Sequence, residues 1–176
     1  MVLLPAILAI YETQAEKDHV TALFEAYRWT MYNEARQIPT SHEDAEDAVQ
    51  EAFIIIHDHL NKLTDITCHK TRGYVVLVAK NLAKNKLRKR RRERTMQMED
   101  MTYELPDTKE STHTRMEIEE VISEIESLPE TPREILLLKY YHQCSDKELA
   151  AIMGIRHDTV RKRVERARAL LIERLA

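Results

Sequence analysis

Glycine is nearly missing from this chain: 2 residues in 176, beside 5 prolines. Turns that need a left-handed backbone are therefore few, which argues against a sheet built on tight hairpins. Cysteine is as rare. Cys68 and Cys144 lie far apart and form no CxxC pair. A disulfide framework is excluded on that count, and a reducing cytosol is the expected surrounding. Long apolar runs are missing too. The opening MVLLPAILAIYE is apolar for only about ten residues, short of a membrane span. It contains Pro5 and has neither the cationic start nor the clear cleavage site of a secretory signal. It reads as a packing or helix-start segment, with no membrane insertion.

Charge is what the chain has in quantity. Charged residues make up 32% and hydrophobic ones 43%, a balance that suits a mostly helical protein of one ordinary domain or two small ones. The formal net charge of −3 conceals strong segregation. Lys80 to Arg94 holds nine basic residues and one acid, Thr95 to Glu126 ten acids and two basic residues, and Arg156 to Arg168 six basic residues and two acids. Two cationic blocks flanking an acidic one suit a protein that meets a polyanion at two places.

Apolar spacing predicts a helix from about Ala15 to Gln37, with Val20, Leu23, Phe24, Tyr27 and Met31 on one stripe and Pro39 beyond it. A second helix follows Ser41, a fitting N-cap with Asp44 at the third helical position. Its apolar side carries Ala45, Val49, Ala52, Phe53, Ile56, Leu60 and Leu63. In TRGYVVLVAKNLAKNKLRKRRRER, Tyr74, Val75, Val78 and Leu82 share a face that Leu87 does not, so a break is expected near Lys80 to Ala83. Residues 96–112 are polar and acidic, carry Pro106 and read as a linker. Beyond Arg115, Ile118, Val121, Ile122, Ile125 and Leu128 form another stripe, and ETPREILLLKYY a helix from about Pro132. Tyr140 and Tyr141 are expected at the core and its rim. No strand-like alternation and no internal repeat occur.

The last third carries the sharpest local signal. Ser145 and Glu148 form a capping box ahead of Leu149, Ile152 and Met153. Gly154 suits the turn, and a longer basic helix follows with Val160, Val164, Ala167 and Leu171 inward. That order is a helix-turn-helix. At 100° per residue, Asp158, Lys162 and Glu165 point away from the core with Arg161 and Arg166 beside them, where a duplex would meet them. On the helix after Ser41, the acids Asp47, Glu51 and Asp58 surround Ile54, bordered by Glu43 and Gln50. An aliphatic side chain ringed by carboxylates suits a docking surface for a basic partner. Those carboxylates have no pocket around them, so no catalytic site is expected. Tyr74, Asn81 and Asn85 lead into the first basic block, where aromatic and amide groups could serve bases while the cations neutralise phosphates. Neither Cys68–His69 nor His142–Cys144 has zinc-ligand spacing, and no metal or other cofactor is expected.

Four stretches, LFEAYRWTMY, HEDAEDAVQEAFIII, TRGYVVLVAKNLAKNKLRKRRR and SLPETPREILLLKYY…ELAAIMGIRHDTVRKRVERARALL, resemble in that order the bacterial sigma factors of RNA polymerase, in their compact extracytoplasmic-function group. The resemblance implies an all-α fold of two small helical domains. Residues 1–95 would bind the polymerase and the −10 element, 96–113 would be a flexible acidic linker, and 114–176 would bind the −35 element through the helix-turn-helix. It implies a cytoplasmic, nucleoid-associated, non-enzymatic promoter-specificity subunit. Its partners would be core RNA polymerase (through the β′ clamp helices and the β flap), promoter DNA and an anti-sigma factor. Asp47, Gln50, Glu51 and Ile54 become clamp contacts. Asn81 matches an Asn in the loop that captures a flipped −10 base. Lys84, Lys86, Arg88 and Arg90 would hold the strand, and Arg156, His157, Arg161 and Lys162 the −35 duplex. Tyr74 and Val76 stand where the family usually has Trp and Tyr, Gln143 where a glycine is common, and Arg156 where a small capping residue is usual. The alternative is a stand-alone helix-turn-helix repressor, which leaves the acidic helix and the first basic block without a purpose.

Overall fold

The computed structural model of the chain describes residues 4–95 and 118–175, all of it helix and connecting turns without a strand among the described residues. The linker expected at 96–113 lies outside them. The chain divides into two units, residues 1–100 with 151–154, and 101–150 with 155–176.

In the first unit, α1 (Leu4–Leu8) is the short apolar opening, and it packs against α2 (Gln14–Arg36) and α3 (His42–His59). Ile7 and Tyr11 are buried, and the Tyr11 hydroxyl donates to the Phe53 carbonyl at 2.8 Å. Burial pushes that phenol above its ordinary range, so the group is a neutral donor. The opening segment is thus a packing element, as its length and Pro5 imply. Thr13 starts α2 through a reciprocal capping box with Glu16. Ser41 starts α3, its hydroxyl accepting from the Asp44 amide at 3.1 Å. A short 3₁₀ turn at Leu60–Lys62 ends α3, and α4 (His69–Thr95) follows.

Helices α2, α3 and α4 pack on one another around a shared core. Phe24 and Phe53 meet there at 5.3 Å between ring centroids, with Met31, Ile56, Tyr74 and Leu82 also inaccessible. Each such side chain contributes about 1.5–3 kcal/mol by leaving water. The break expected near Lys80 to Ala83 does not exist, because α4 is continuous through it. Ala79 and Ala83 are fully buried, and with half-buried Leu87 they form an i, i+4, i+8 row that widens the apolar face. Leu87 needs no change of phase once the alanines are counted.

The second unit contains α5 (Ile118–Ser127), α6 (Glu130–Leu136), the first part of α7 (Asp146–Met153) and α8 (His157–Leu175), with α6 and α8 in extensive contact. Between α6 and α7 the chain widens into a π-helical turn at Leu137–Tyr141, closed by the His142 amide on the Leu137 carbonyl at 2.9 Å. The extra residue in that turn rotates the helical phase. Tyr140 and Tyr141 are therefore 50% and 37% exposed, and the expectation of a core position is corrected. Gln143 then adopts φ = 56°, the left-handed conformation that explains why glycine suits this place. Ser145 and Glu148 complete the expected box, the Ser145 amide donating to the carboxylate at 2.6 Å and the Glu148 amide to the hydroxyl at 3.2 Å. Ser145→Ala is expected to cost about 1 kcal/mol, readable as a lower denaturation midpoint in urea with an unchanged m-value.

Candidate nucleic-acid interface

The acidic face of α3 is built as its spacing implies. Ala45, Ala48, Val49, Ala52 and Phe53 fill the core side, which leaves Asp47, Glu51 and Ile54 outward and Gln50 at the boundary. Ile54 is 51% exposed, a branched apolar group held in water among carboxylates. That arrangement has little to recommend it except as a contact.

The basic block forms the end of α4. Lys84 and Lys86 are half-buried, and Arg88 and Arg90 are exposed. Two expectations about its lead-in are corrected. Tyr74 is fully buried and stacks on His59 at 4.5 Å between ring centroids, so it presents no face to a base. Asn81 is 2% exposed within the uninterrupted helix, its amide donating to the Leu77 carbonyl at 3.0 Å. It sits in helix and not in a loop. The irregular segment of this unit precedes α4 instead. There the His19 ring bonds the Leu63 carbonyl at 2.7 Å, the Tyr27 hydroxyl donates to the Ile66 carbonyl, and the Thr71 hydroxyl donates to the Asp65 carbonyl at 2.6 Å. Hydrogen bonds from Thr67 hold the Asp65 carboxyl below its ordinary range.

Acids and cations that the sequence assigns to different partners touch each other. Lys86 Nζ lies 3.2 Å from Glu51 Oε2 and 3.9 Å from Asp47 Oδ2, and Arg90 Nε lies 2.8 Å from Asp44 Oδ2. Asp44 is 7% exposed. Its cap position was legible in the sequence, whereas its pairing with Arg90 was not. Trp29, which sequence reasoning left aside, is 62% exposed on α2, with the Arg28 guanidinium 5.6 Å from its ring centroid. Its position off the Val20–Met31 stripe was the available signal.

Along α7, Leu149, Ile152 and Met153 are buried, and Gly154 turns the chain at φ = 61°. Val160, Val164 and Ala167 anchor α8, while Leu171 is only half-buried. Arg156, His157, Arg161 and Lys162 are all exposed at the start of α8, where a major groove admits a helix end. Arg161 is held by Glu165 at 3.0 Å, and Arg156 lies 3.9 Å from Asp158. The arrangement offers cations to phosphates and guanidinium or imidazole groups to base edges.

Comparison with known proteins bears on both units. Sigma-70 region 2 matches residues 23–93 and sigma-70 region 4 matches residues 118–171. The first match accounts for the unit that a stand-alone repressor leaves unexplained. No curated protein matches the chain. Among solved structures, the sigma factor RpoE in complex with the anti-sigma factor NepR from Bartonella quintana is similar at 19% identity, covering 93% of this chain and 98% of that chain with a TM-score of 0.36. No helix among the described residues is long and apolar enough to cross a membrane. With both regions in order and only residues 94–117 between them, the chain belongs to the sigma-70 family, as a sigma factor of its compact extracytoplasmic-function group.

Proposed function

We propose that the two units divide the work of promoter recognition, with residues 1–95 engaging the polymerase and the −10 element and residues 114–176 engaging the −35 element. Asp47, Gln50, Glu51 and Ile54 meet the β′ clamp helices. Lys84, Lys86, Arg88 and Arg90 hold the displaced strand, and Asn81, which is buried in α4, is the residue assigned to the flipped −10 base. Arg156, His157, Arg161 and Lys162 meet the upstream duplex, and the second unit also touches the β flap. The protein contributes positioning and charge rather than catalysis, and it works in the cytoplasm on nucleoid DNA. An anti-sigma factor that covers the same acids or cations would hold it off the polymerase.

The observation that carries this reading is the outward set on α3, two carboxylates around a half-exposed isoleucine, beside a helix end dense in cations. Apolar and anionic groups together favour a basic protein surface over DNA, whereas the end of α4 favours DNA. Flipping a base from the stack costs a few kcal/mol, offset by holding the opened strand. In vitro transcription with core polymerase on genomic fragments tests the whole: defined start sites should appear only when the protein is added. With six to ten phosphates engaged, promoter affinity of the holoenzyme should fall by about 10³–10⁵ between 50 and 200 mM salt. A flat salt response would remove the cations from the interface.

A further inference from the structure

Trp29 is the chain's single tryptophan. It stands on α2 opposite the buried stripe of Val20, Leu23, Tyr27 and Met31, with 62% of its surface in water. So large a ring left outside the core is placed for a contact rather than for packing. It is also not isolated. Tyr32, one turn on, meets it edge to face at 6.1 Å between ring centroids, and His42 at the start of α3 lies 5.5 Å beyond Tyr32. The Arg28 guanidinium lies over the indole at 5.6 Å from its centroid, and Arg36 is exposed further along the same flank. Rings interleaved with cations are the makings of a surface on which unpaired bases stack.

The row of rings begins where the basic end of α4 leaves off. The Pro39–Ser41 turn between α2 and α3 lines a cleft of about 270 Å³ together with Arg90, Arg91 and Asp44, the carboxylate that Arg90 holds. His42 follows that turn directly. A strand whose phosphates lie on Arg90 and Arg91 therefore reaches His42, Tyr32 and Trp29 by crossing one turn of chain. Charge along the row itself is nearly balanced, since Glu46 stands 3.7 Å from His42 and Glu25 and Glu43 are exposed beside it. The row thus offers ring surface and few phosphate contacts, which suits unpaired bases better than a duplex that keeps its bases stacked inside. Tyr74, the ring that its place in the sequence offers to bases, is buried against His59, so stacking on this unit falls elsewhere. We infer that Trp29, Tyr32 and His42 form a stacking platform for the unpaired bases adjoining the segment that α4 holds. The inference rests on the assignment of the end of α4 to the opened strand.

Because indole emission comes from Trp29 alone, the intact chain carries its own probe. At low salt, an oligothymidylate of about 12 nucleotides should quench that emission and saturate at the Kd that anisotropy of a labelled copy reads in parallel. An abasic strand of equal length keeps the phosphates and lacks the bases. It should still bind through the cations while leaving the emission unchanged. Trp29→Ala should weaken oligothymidylate binding about tenfold, the loss of one stacked base. The same variant should keep its affinity for the abasic strand and its slope of log K against log salt, because no phosphate contact is removed. Trp29→Phe, which retains a ring, should recover most of the loss. Equal quenching by the abasic strand, binding without quenching, or unchanged affinity in Trp29→Ala overturns the inference and leaves α4 as the holder of the strand. Failure of both strands to bind removes that assignment and the platform with it. Loss of core polymerase from Trp29→Ala in a pull-down, with DNA affinity intact, overturns the inference by giving the row to a protein interface.

Discussion

Core RNA polymerase is expected to lose the protein when Asp47→Lys and Glu51→Lys are combined, with capture in a pull-down falling by at least about a hundredfold. The magnitude follows from placing like charges across an interface, which costs several kcal/mol, at about 1.4 kcal/mol for each tenfold in affinity. The fold should survive. Both side chains point outward and their only role in the described structure is the exposed pairing with Lys86, so the reversal replaces attraction by repulsion at a site worth about 0.2–1 kcal/mol per pair. For a unit of this size that is a drop of a few degrees, at about 4–8 °C per kcal/mol. Circular dichroism with thermal melting separates the two effects, and retention of full capture by a folded variant would defeat the docking assignment.

The second large effect concerns promoter choice. Arg161→Ala with Lys162→Ala should weaken selection of the upstream element, while transcription that depends mainly on the first unit persists. Each lost contact to a base edge is worth about 1–3 kcal/mol, so with both side chains reading bases, discrimination between an intact and a scrambled upstream element should fall by about two powers of ten. Competitive transcription from the two templates in one tube measures it. Arg161 must first leave Glu165, its neighbour one turn on. That pair is exposed and therefore a weak competitor with phosphate. If the ratio of transcripts stays unchanged, α8 is not the reading helix.

Several features were legible because their causes are local. Ser41, Ser145 and Glu148 cap helices through contacts spanning three residues, and a capping pattern can be seen in a string of letters. The outward positions of Asp47, Glu51, Ile54, Arg161 and Lys162 follow from helical periodicity alone. The errors have equally definite sources. Counting only large apolar residues produced a false break in α4, since Ala79 and Ala83 bury as completely as leucine when another helix comes close. Tyr140 was misplaced because a π-helical turn inserts a residue into the count, and nothing short of the backbone hydrogen bonds reveals it. Tyr74 was offered to bases because an aromatic ring beside a charge run looks available, yet it packs beneath His59.

The sequence by itself determined that the chain is helical, where its helices begin, which faces are apolar, and that it carries two cationic surfaces and one anionic one. These are consequences of residue type and of a 3.6-residue period, and they need no knowledge of what lies opposite. Only the tertiary structure decided which charges meet. Asp47 and Lys86 stand 39 positions apart, and no local rule links them. They become partners because α3 and α4 share a core and run antiparallel, which brings the acidic flank of one against the cationic end of the other.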